Sequence, residues 1–350
     1  MAKLIIRKFG IKTSIILIFI NIFTKTTQKQ NNQQYASDYA EYQQKLNTLN
    51  SEPVIAQSGP LKLVGHPGPD GSTAYYQAMT VIGINASDTV MQDIGWHSNS
   101  ELIGANGPAY IAPGQMPPSY GTAGFYNITD VARNNGTITL TNAAKDQYGD
   151  MYDLHLQFAN AGVPDTGNEE DPTNLVIGPS SDGSIEFDGY GGFMVNNVKI
   201  GNLYFTKHGS MTPSSVNVIS TFGDLDNHQF IDTSLGNALS YVPSNSEVSQ
   251  SGSTFNGAGP EDDGYNSTPR GTFLMVGQGS HFNVEFGWMS DTRPSLDNFK
   301  NISASHQETG FQFNLFGPSA TSKVLIPPVR KTSSVNYHYD TNHCPANCLL

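Results

Sequence analysis

The sequence predicts a mainly β protein, a large antiparallel β-sandwich preceded by a short α-helical segment. From about residue 60 to 326, apolar and polar residues alternate with period two, which is typical of strands with one buried face. The chain has 35 Gly, 20 Pro and only 14% charged residues, a composition that disfavours helices. Helical periodicity is confined to residues 35–49.

Residues 1–30 have the layout of a signal peptide or N-terminal anchor. A basic start precedes the apolar run Ile15–Ile20, as in an exported protein. The run is shorter than the roughly 20 residues of a membrane span. We therefore expect a secreted or cell-surface protein with no membrane span in its mature head. The flank TKTTQKQ has no small-residue cleavage site, which leaves a membrane-anchored start as the alternative.

Residues 31–52 are predicted to hold a polar linker and then a short amphipathic helix. Its apolar residues recur at steps of four, three, four and three, the spacing of a coiled-coil seam: Tyr35, Tyr39, Tyr42, Leu46 and Leu49. Pro53 then ends the helix. Two heptads are marginal for a coiled coil, so packing of this helix on the following domain is an equally good interpretation.

Residues 55–326 are predicted to form the β domain, and MYDLHLQF shows the pattern most clearly. One set of alternate residues is apolar: Tyr152, Leu154, Leu156 and Phe158. The other set is polar: Asp153, His155 and Gln157. The segments HFNVEFGW and FQFNLFG alternate in the same way. Long Gly-, Pro- and Asn-rich segments separate these runs, and such loops are where β-sandwiches carry binding sites.

Residues 327–350 are predicted to be a proline linker, the start of a further strand and a disordered tail. Cys344 and Cys348 are the only cysteines, so no disulfide can cross-link the β domain. His343 precedes Cys344, but this spacing is a weak zinc signal.

The charge distribution argues against a nucleic-acid partner. The net charge is −12, and residues 1–30 hold six basic and no acidic residues. The remaining 320 residues therefore carry a formal charge of −18, which repels phosphate backbones. A body this acidic can still bind a divalent cation.

Two acidic segments are candidate calcium sites. In TFGDLDNHQF, Asp224 and Asp226 supply the hard oxygen ligands that calcium prefers, and Asn227 is a candidate ligand-binding residue beside them. The alternative is an Asx-rich turn that satisfies its own backbone.

The second segment is GAGPEDDGYN. Its adjacent carboxylates, Asp262 and Asp263, repel one another and attract a cation, and Tyr265 is a candidate ligand-binding residue. A solvated loop is the alternative.

Trp96 and His97 are the remaining candidates for ligand binding. They lie side by side in DIGWHSNS, and exposed aromatic rings stack on sugars or anchor protein contacts. Ordinary packing is the alternative for Trp96.

Enzymatic motifs are absent from the sequence, so we expect a binding protein. There is no G-x-S-x-G, H-E-x-x-H or P-loop pattern. A pair of carboxylates for glycoside hydrolysis is the less favoured alternative, with Glu186 and Glu285 as candidates.

The order of segments resembles the streptococcal antigen I/II surface adhesins and the related glucan-binding protein C and Spa domain family. QQYASDYAEYQQKLNTL resembles the last repeat of their helical stalk. VNVISTFGDLDNHQFIDTS and STPRGTFLMVGQGSHFNVEFG resemble late segments of their head. After the proline linker, a strand resembles the motif that opens their next domain: Val335, Tyr337, His338 and Tyr339.

The resemblance implies a lectin-like β-supersandwich displayed on a Gram-positive cell surface. Its ligand would be a host glycoprotein or a glucan, or else a bacterial surface polymer. The implied metal ion would give the 224–226 and 261–263 segments their role. Residues 327–340 would return along the helix, which requires both ends of the head to emerge close together. A secreted L-type lectin-like carbohydrate-binding protein is the alternative.

Overall fold

The computed structural model describes residues 13–65, 79–107, 124–159, 174–180, 183–190, 197–222, 225, 229–244, 246–257, 271–288, 312–315 and 322–333. The chain divides into two compact units. The first combines Met1–Thr48 with Ile326–Leu350, and the second is Leu49–Leu325.

The first unit contains helix α1, which spans Thr13–Leu49. It is longer than the sequence predicts, because the polar stretch before Tyr35 is helical instead of a linker. No Gly or Pro lies between Gly10 and Pro53, and Gln is a good helix former. Among the described residues, no helix is both long and apolar enough to cross a membrane.

A return segment, residues 330–333, lies along α1 in the opposite direction. Arg330 donates a hydrogen bond to Asn32 at 3.1 Å, and Gln28 donates to the backbone oxygen of Lys331 at 3.2 Å. Farther along, the Ser333 backbone N–H donates to Gln28 at 2.8 Å. Residue numbers rise along the return segment while those of the bonded helix residues fall, so the two segments are antiparallel.

The second unit is built almost entirely of strands. Its described strands are β1 Val54–Ser58, β2 Leu61–Gly65, β3 Met79–Ile82, β4 Val90–Gln92, β5 Leu102–Ile103, β6 Tyr126–Asn127, β7 Thr137–Asp146, β8 Met151–Phe158, β9 Asn174–Pro179, β10 Ile185–Tyr190, β11 Asn197–Lys207, β12 Val216–Phe222, β13 Gln229–Thr233, β14 Leu239–Tyr241, β15 Val248–Ser251, β16 Thr254–Gly257, β17 Phe273–Gly279, β18 Phe282–Trp288, β19 Gln312–Leu315 and β20 Ser322–Val324. A short helix α2, Thr129–Arg133, and a 3-10 turn, Ser234–Gly236, complete the described elements.

The strands form three sheets. The large sheet has the order β14-β17-β12-β4-β7-β8-β11-β18-β13-β16-β15, with β5 paired to β7. Two four-stranded sheets have the orders β19-β10-β9-β6 and β1-β2-β3-β20. Most pairings are antiparallel, as the alternating pattern predicts.

The main core lies between the large sheet and the β19-β10-β9-β6 sheet, which confirms the predicted β-sandwich. Phe187 of β10 meets Phe286 of β18 edge to face, with ring centroids 5.5 Å apart. The predicted apolar set of β8 is buried, from Tyr152 to Phe158. Of the polar set on its other face, His155 and Gln157 are not buried, whereas Asp153 is buried and bonds His208. Alternation in the sequence therefore identifies the core face of this strand correctly.

The large sheet curls until its two edge strands lie next to each other. Ser240 of β14 and Gln250 of β15 exchange side-chain hydrogen bonds at 3.2 and 2.8 Å. No backbone pairing joins these two described strands. We call this contact between the edges the seam.

Both ends of the second unit belong to one small sheet. β1 is the first strand of the unit and β20 the last, and they form opposite edges of the β1-β2-β3-β20 sheet. At about 4.8 Å between neighbouring strands, the two edges are roughly 14 Å apart. Through the pairings of β2 and β3, Val54 of β1 lies level with Lys323 of β20, so the chain enters and leaves this unit within one small sheet.

Candidate functional site

The predicted metal ligands lie outside the described residues, as do two of the predicted ligand-binding residues. These are Asp224, Asp226, Asp262, Asp263, Asn227 and Tyr265. Within the described ranges, no group of three or more His, Cys, Asp or Glu residues is placed to hold a metal ion.

The strands that lead into both acidic segments are nevertheless paired at one point. Phe222, the last residue of β12, lies opposite Phe273, the first residue of β17. The Leu225 backbone N–H donates to the Gly271 oxygen at 3.1 Å. One segment starts after Phe222 and the other ends before Gly271, so both adjoin the same end of this strand pair.

Trp96 is partly buried and packs against the main core. Its indole stacks on Tyr126 at 5.9 Å with an interplanar angle of 16°, so one face of the ring is covered. The Trp96 backbone N–H donates to Gly183 at 2.7 Å, which fixes the ring beside the β9–β10 turn. Packing accounts for this geometry, and ligand binding by Trp96 stays a prediction.

His97 lies in a tight turn that is docked on β7. Its backbone N–H donates to the Ser100 hydroxyl at 2.9 Å, and its Nε2 lies 2.9 Å from the backbone oxygen of Asp93. Ser100 in turn donates to the backbone oxygen of Asn142, where β7 has an irregular register. Asp93 and Asn142 both have positive φ values near 50°, so two uncommon backbone conformations meet at this turn.

The two carboxylates considered for glycoside hydrolysis do not face each other. Their neighbours Phe187 and Phe286 meet in the core, so alternation directs Glu186 and Glu285 away from it on opposite sheets. Glu186 is fully buried. Glu285 pairs with Lys199 at 2.9 Å and accepts a hydrogen bond from Asn197 at 2.8 Å.

A row of three rings crosses the outer face of the large sheet, and we call it the ridge. His155 of β8 stacks on Tyr204 of β11 at 4.5 Å with an interplanar angle of only 9°. On its other side, Tyr204 lies 5.5 Å from His281, which precedes β18. Each ring comes from a neighbouring strand, because β8, β11 and β18 are adjacent in the sheet.

The imidazoles of the ridge are held by uncharged side chains. The two ring nitrogens of His155 lie 2.9 Å from the hydroxyls of Thr139 and Thr206. His281 Nδ1 lies 2.8 Å from the amide oxygen of Asn202, so this nitrogen donates. The rings are therefore fixed before any ligand arrives.

His155 and Tyr204 stack and cover one face of each other, whereas the His281 ring is tilted by 49° against Tyr204. The Tyr204 hydroxyl makes no hydrogen bond within the described part of the chain, and Tyr204 is partly exposed. His281 is exposed, and its Nε2 points away from the nitrogen that bonds Asn202. The ridge therefore offers a hydroxyl and an imidazole nitrogen to a polar ligand.

His155 gives a pH-dependent prediction. Burial lowers the pKa of His155 from its ordinary value of 6.5, and the charge of Asp153 opposes this shift only in part. A folded-state pKa below the unfolded one means that the unfolded chain binds the proton more tightly. The stabilisation by neutral His155 is therefore complete above pH 6.5 and is lost as the pH falls through the folded-state pKa.

NMR titration of the imidazole signals checks this prediction. We expect His155 to titrate below 6.5 and the pH dependence of unfolding to weaken in His155→Gln, with the unfolding of His97→Gln serving as the control. A His155 that titrates at or above 6.5 would contradict the burial argument.

Sequence reasoning placed His155 on the exposed face of its strand but did not identify the ridge. Tyr204 and His281 are distant from it along the chain, and only strand order brings them together. The available signal was the alternation in NVKIGNLYFTK, which puts Tyr204 on the face opposite the buried Leu203 and Phe205.

No protein-family model and no curated protein matches the chain. Among solved structures, it is similar to the N-terminal domain of the Streptococcus gordonii adhesin Sgo0707, with a TM-score of 0.32 and 9% sequence identity. The match covers 77% of this chain and 61% of that one. A streptococcal adhesin domain is thus a distant structural neighbour, and we base no functional argument on it.

Proposed function

We propose that the second unit is the head of a secreted or surface-displayed adhesin and that its ligand is an uncharged glycan. The observation that carries the proposal is the ridge, where a tyrosine hydroxyl and an imidazole nitrogen are presented on an exposed sheet face. The glycan chemistry is shared by two sources: a glucan and the neutral chains of a host glycoprotein.

The electrostatics of the site favour an uncharged ligand over an anionic one. The side chains that hold the ridge are hydroxyls and amides. Both cations of β11 are paired, Lys199 with Glu285 and Lys207 with Asp150. Since the chain beyond residue 30 is strongly acidic, a polyanion such as DNA or teichoic acid would be repelled.

The first unit supports the display of the head. The chain leaves α1, forms the whole β unit and returns to bond with the same helix at Asn32 and Gln28. Such an arrangement suits a stem that carries a head, in agreement with the antigen I/II resemblance. A lectin without a stem would have no use for this returning segment.

Retention of the full chain on immobilised polymers tests the proposal. Dextran represents the glucan source, and a desialylated mucin-type glycoprotein represents the host source. We expect retention on one of them that persists as the salt concentration rises, because uncharged contacts are not screened. Retention only on DNA or teichoic acid, or on no polymer, would overturn the proposal.

We also propose that calcium stabilises this head through the two acidic segments. An ion bound only by the native state raises the unfolding midpoint, and the gain in stability grows with the logarithm of the ion concentration above its dissociation constant. The midpoint of the full chain should rise when calcium replaces EDTA, and the rise should shrink in Asp224→Asn and in Asp262→Asn. Asp38→Asn, on helix α1, is the matched control.

An unfolding midpoint that does not change at millimolar calcium would contradict the proposed metal sites. The acidic segments would then be solvated turns. Glycan binding by the ridge does not depend on this outcome, because none of its three rings lies in those segments.

A further inference from the structure

A pocket of about 300 Å³ lies at the seam of the large sheet. Its walls come from the turn that follows β13 and from the hairpin that joins β15 to β16. Its lining includes Thr233, Ser234, Asn237, Gln250, Ser253 and Phe255. Gln250, which bonds Ser240 across the seam, is one of the residues that line the pocket.

The pocket's polar walls are rigid. Thr233 donates from its hydroxyl to the backbone oxygen of Asn283 at 2.6 Å, and Ser234 accepts from the Asn283 backbone N–H at 2.9 Å. Asn237 makes two hydrogen bonds to the backbone of Gln278, at 3.1 and 3.0 Å. Their side chains are therefore positioned by backbone contacts and lose little entropy when a ligand binds.

Hydrogen-bonding capacity remains for a ligand. The Ser234 oxygen accepts from Asn283, so its own proton is available to donate. Ser253 is exposed, and its hydroxyl makes no side-chain hydrogen bond among the described residues. The pocket's base is apolar, since Phe255 is buried and stacked on Phe273 at 4.2 Å.

The chemistry and size of the pocket define its ligand. No lining residue carries a charge, so an ion would lose its hydration without a partner. A volume of about 300 Å³ is at the lower end for ligand pockets and suits one ring rather than a chain. Hydroxyl donors above an apolar base match the polar rim and C–H face of a sugar.

We propose that the seam pocket binds the terminal uncharged sugar residue of the glycan. The proposal rests on the proposed function, and the pocket extends the ridge. Asn283, which bonds Ser234 in the pocket wall, is two residues from His281 of the ridge. Only Phe282 separates these two residues along the chain, and a glycan chain can engage both features.

The test uses the full chain bound to the polymer that retains it, dextran or the desialylated glycoprotein. Free glucose and free galactose are added as competitors. Ser253→Trp fills the pocket from an exposed position, and Ser249→Trp adds the same ring on β15 outside it. We expect one monosaccharide to compete, and Ser253→Trp to weaken polymer binding about tenfold or more while Ser249→Trp has no effect.

Unfolding midpoints equal to that of the wild type show that both tryptophan variants are folded. If Ser253→Trp is not folded, Ser253→Ala replaces it in the test. That smaller change removes only the hydroxyl and should weaken monosaccharide competition. Polymer binding that survives Ser253→Trp overturns the seam pocket alone, as does unchanged monosaccharide competition in Ser253→Ala when that variant replaces it. A wild-type chain that binds neither polymer overturns the proposed function as well.

Discussion

Phe273→Ala should destabilise the β unit by about 3–5 kcal/mol, the usual cost of deleting a buried phenylalanine ring. Phe273 is fully buried in β17 and stacks on both Phe222 and Phe255, with centroids 5.3 and 4.2 Å away. Its removal leaves a cavity between β12 and β16, which lie on different parts of the curled sheet. Denaturant unfolding of the full chain measures this loss.

Phe23→Ala is the matched control for Phe273→Ala. Phe23 lies on α1 and is 65% exposed, so its truncation should change stability by no more than about 0.5 kcal/mol. A loss below about 1 kcal/mol in Phe273→Ala would mean that the three rings do not form a single packed stack.

Gly95→Ala should lower the free energy of unfolding by about 1–3 kcal/mol through overpacking and should expose the indole of Trp96. A Cβ at Gly95 would lie 2.3 Å from the backbone oxygen of Gly183, a rigid atom. That same oxygen accepts the Trp96 N–H at 2.7 Å. The backbones must therefore separate, and Trp96 fluorescence should shift to the red as the indole becomes exposed.

Gly236→Ala is the control for Gly95→Ala. Its nearest neighbour would be the sulfur of Met275 at 3.1 Å, which belongs to a flexible side chain that can move. We expect a smaller loss of stability and unchanged tryptophan emission. Equal effects in the two variants would contradict the close approach at Gly183.

The sequence predicts the sandwich and the core face of its strands, because alternation reports which side of a strand is buried. Leu154 and Leu156 are placed correctly by this signal alone. The sequence predicts a shorter α1 than the structure shows, because the first half of this helix has no apolar periodicity. There the helix depends on the lack of Gly and Pro and on the return segment that bonds Gln28 and Asn32.

The candidate site could not be predicted in the same way. His155, Tyr204 and His281 meet only because β8, β11 and β18 are neighbours, and local periodicity does not predict the order of strands in a sheet. The seam likewise depends on how far the sheet curls. Tryptophan is rare in this chain, which makes Trp96 a candidate binding residue from the sequence, yet its ring packs on Tyr126.

The affinity of the Tyr204→Phe variant for the polymer that retains the wild-type chain tests glycan binding at the ridge most directly. This change keeps the ring between His155 and His281 and removes only its exposed hydroxyl. We expect a loss of about 0.5–1.5 kcal/mol of binding free energy at an unchanged unfolding midpoint. Tyr148→Phe, on a turn where Tyr148 is 58% exposed, should bind like wild type. Equal affinity of Tyr204→Phe and wild type would contradict glycan binding at the ridge.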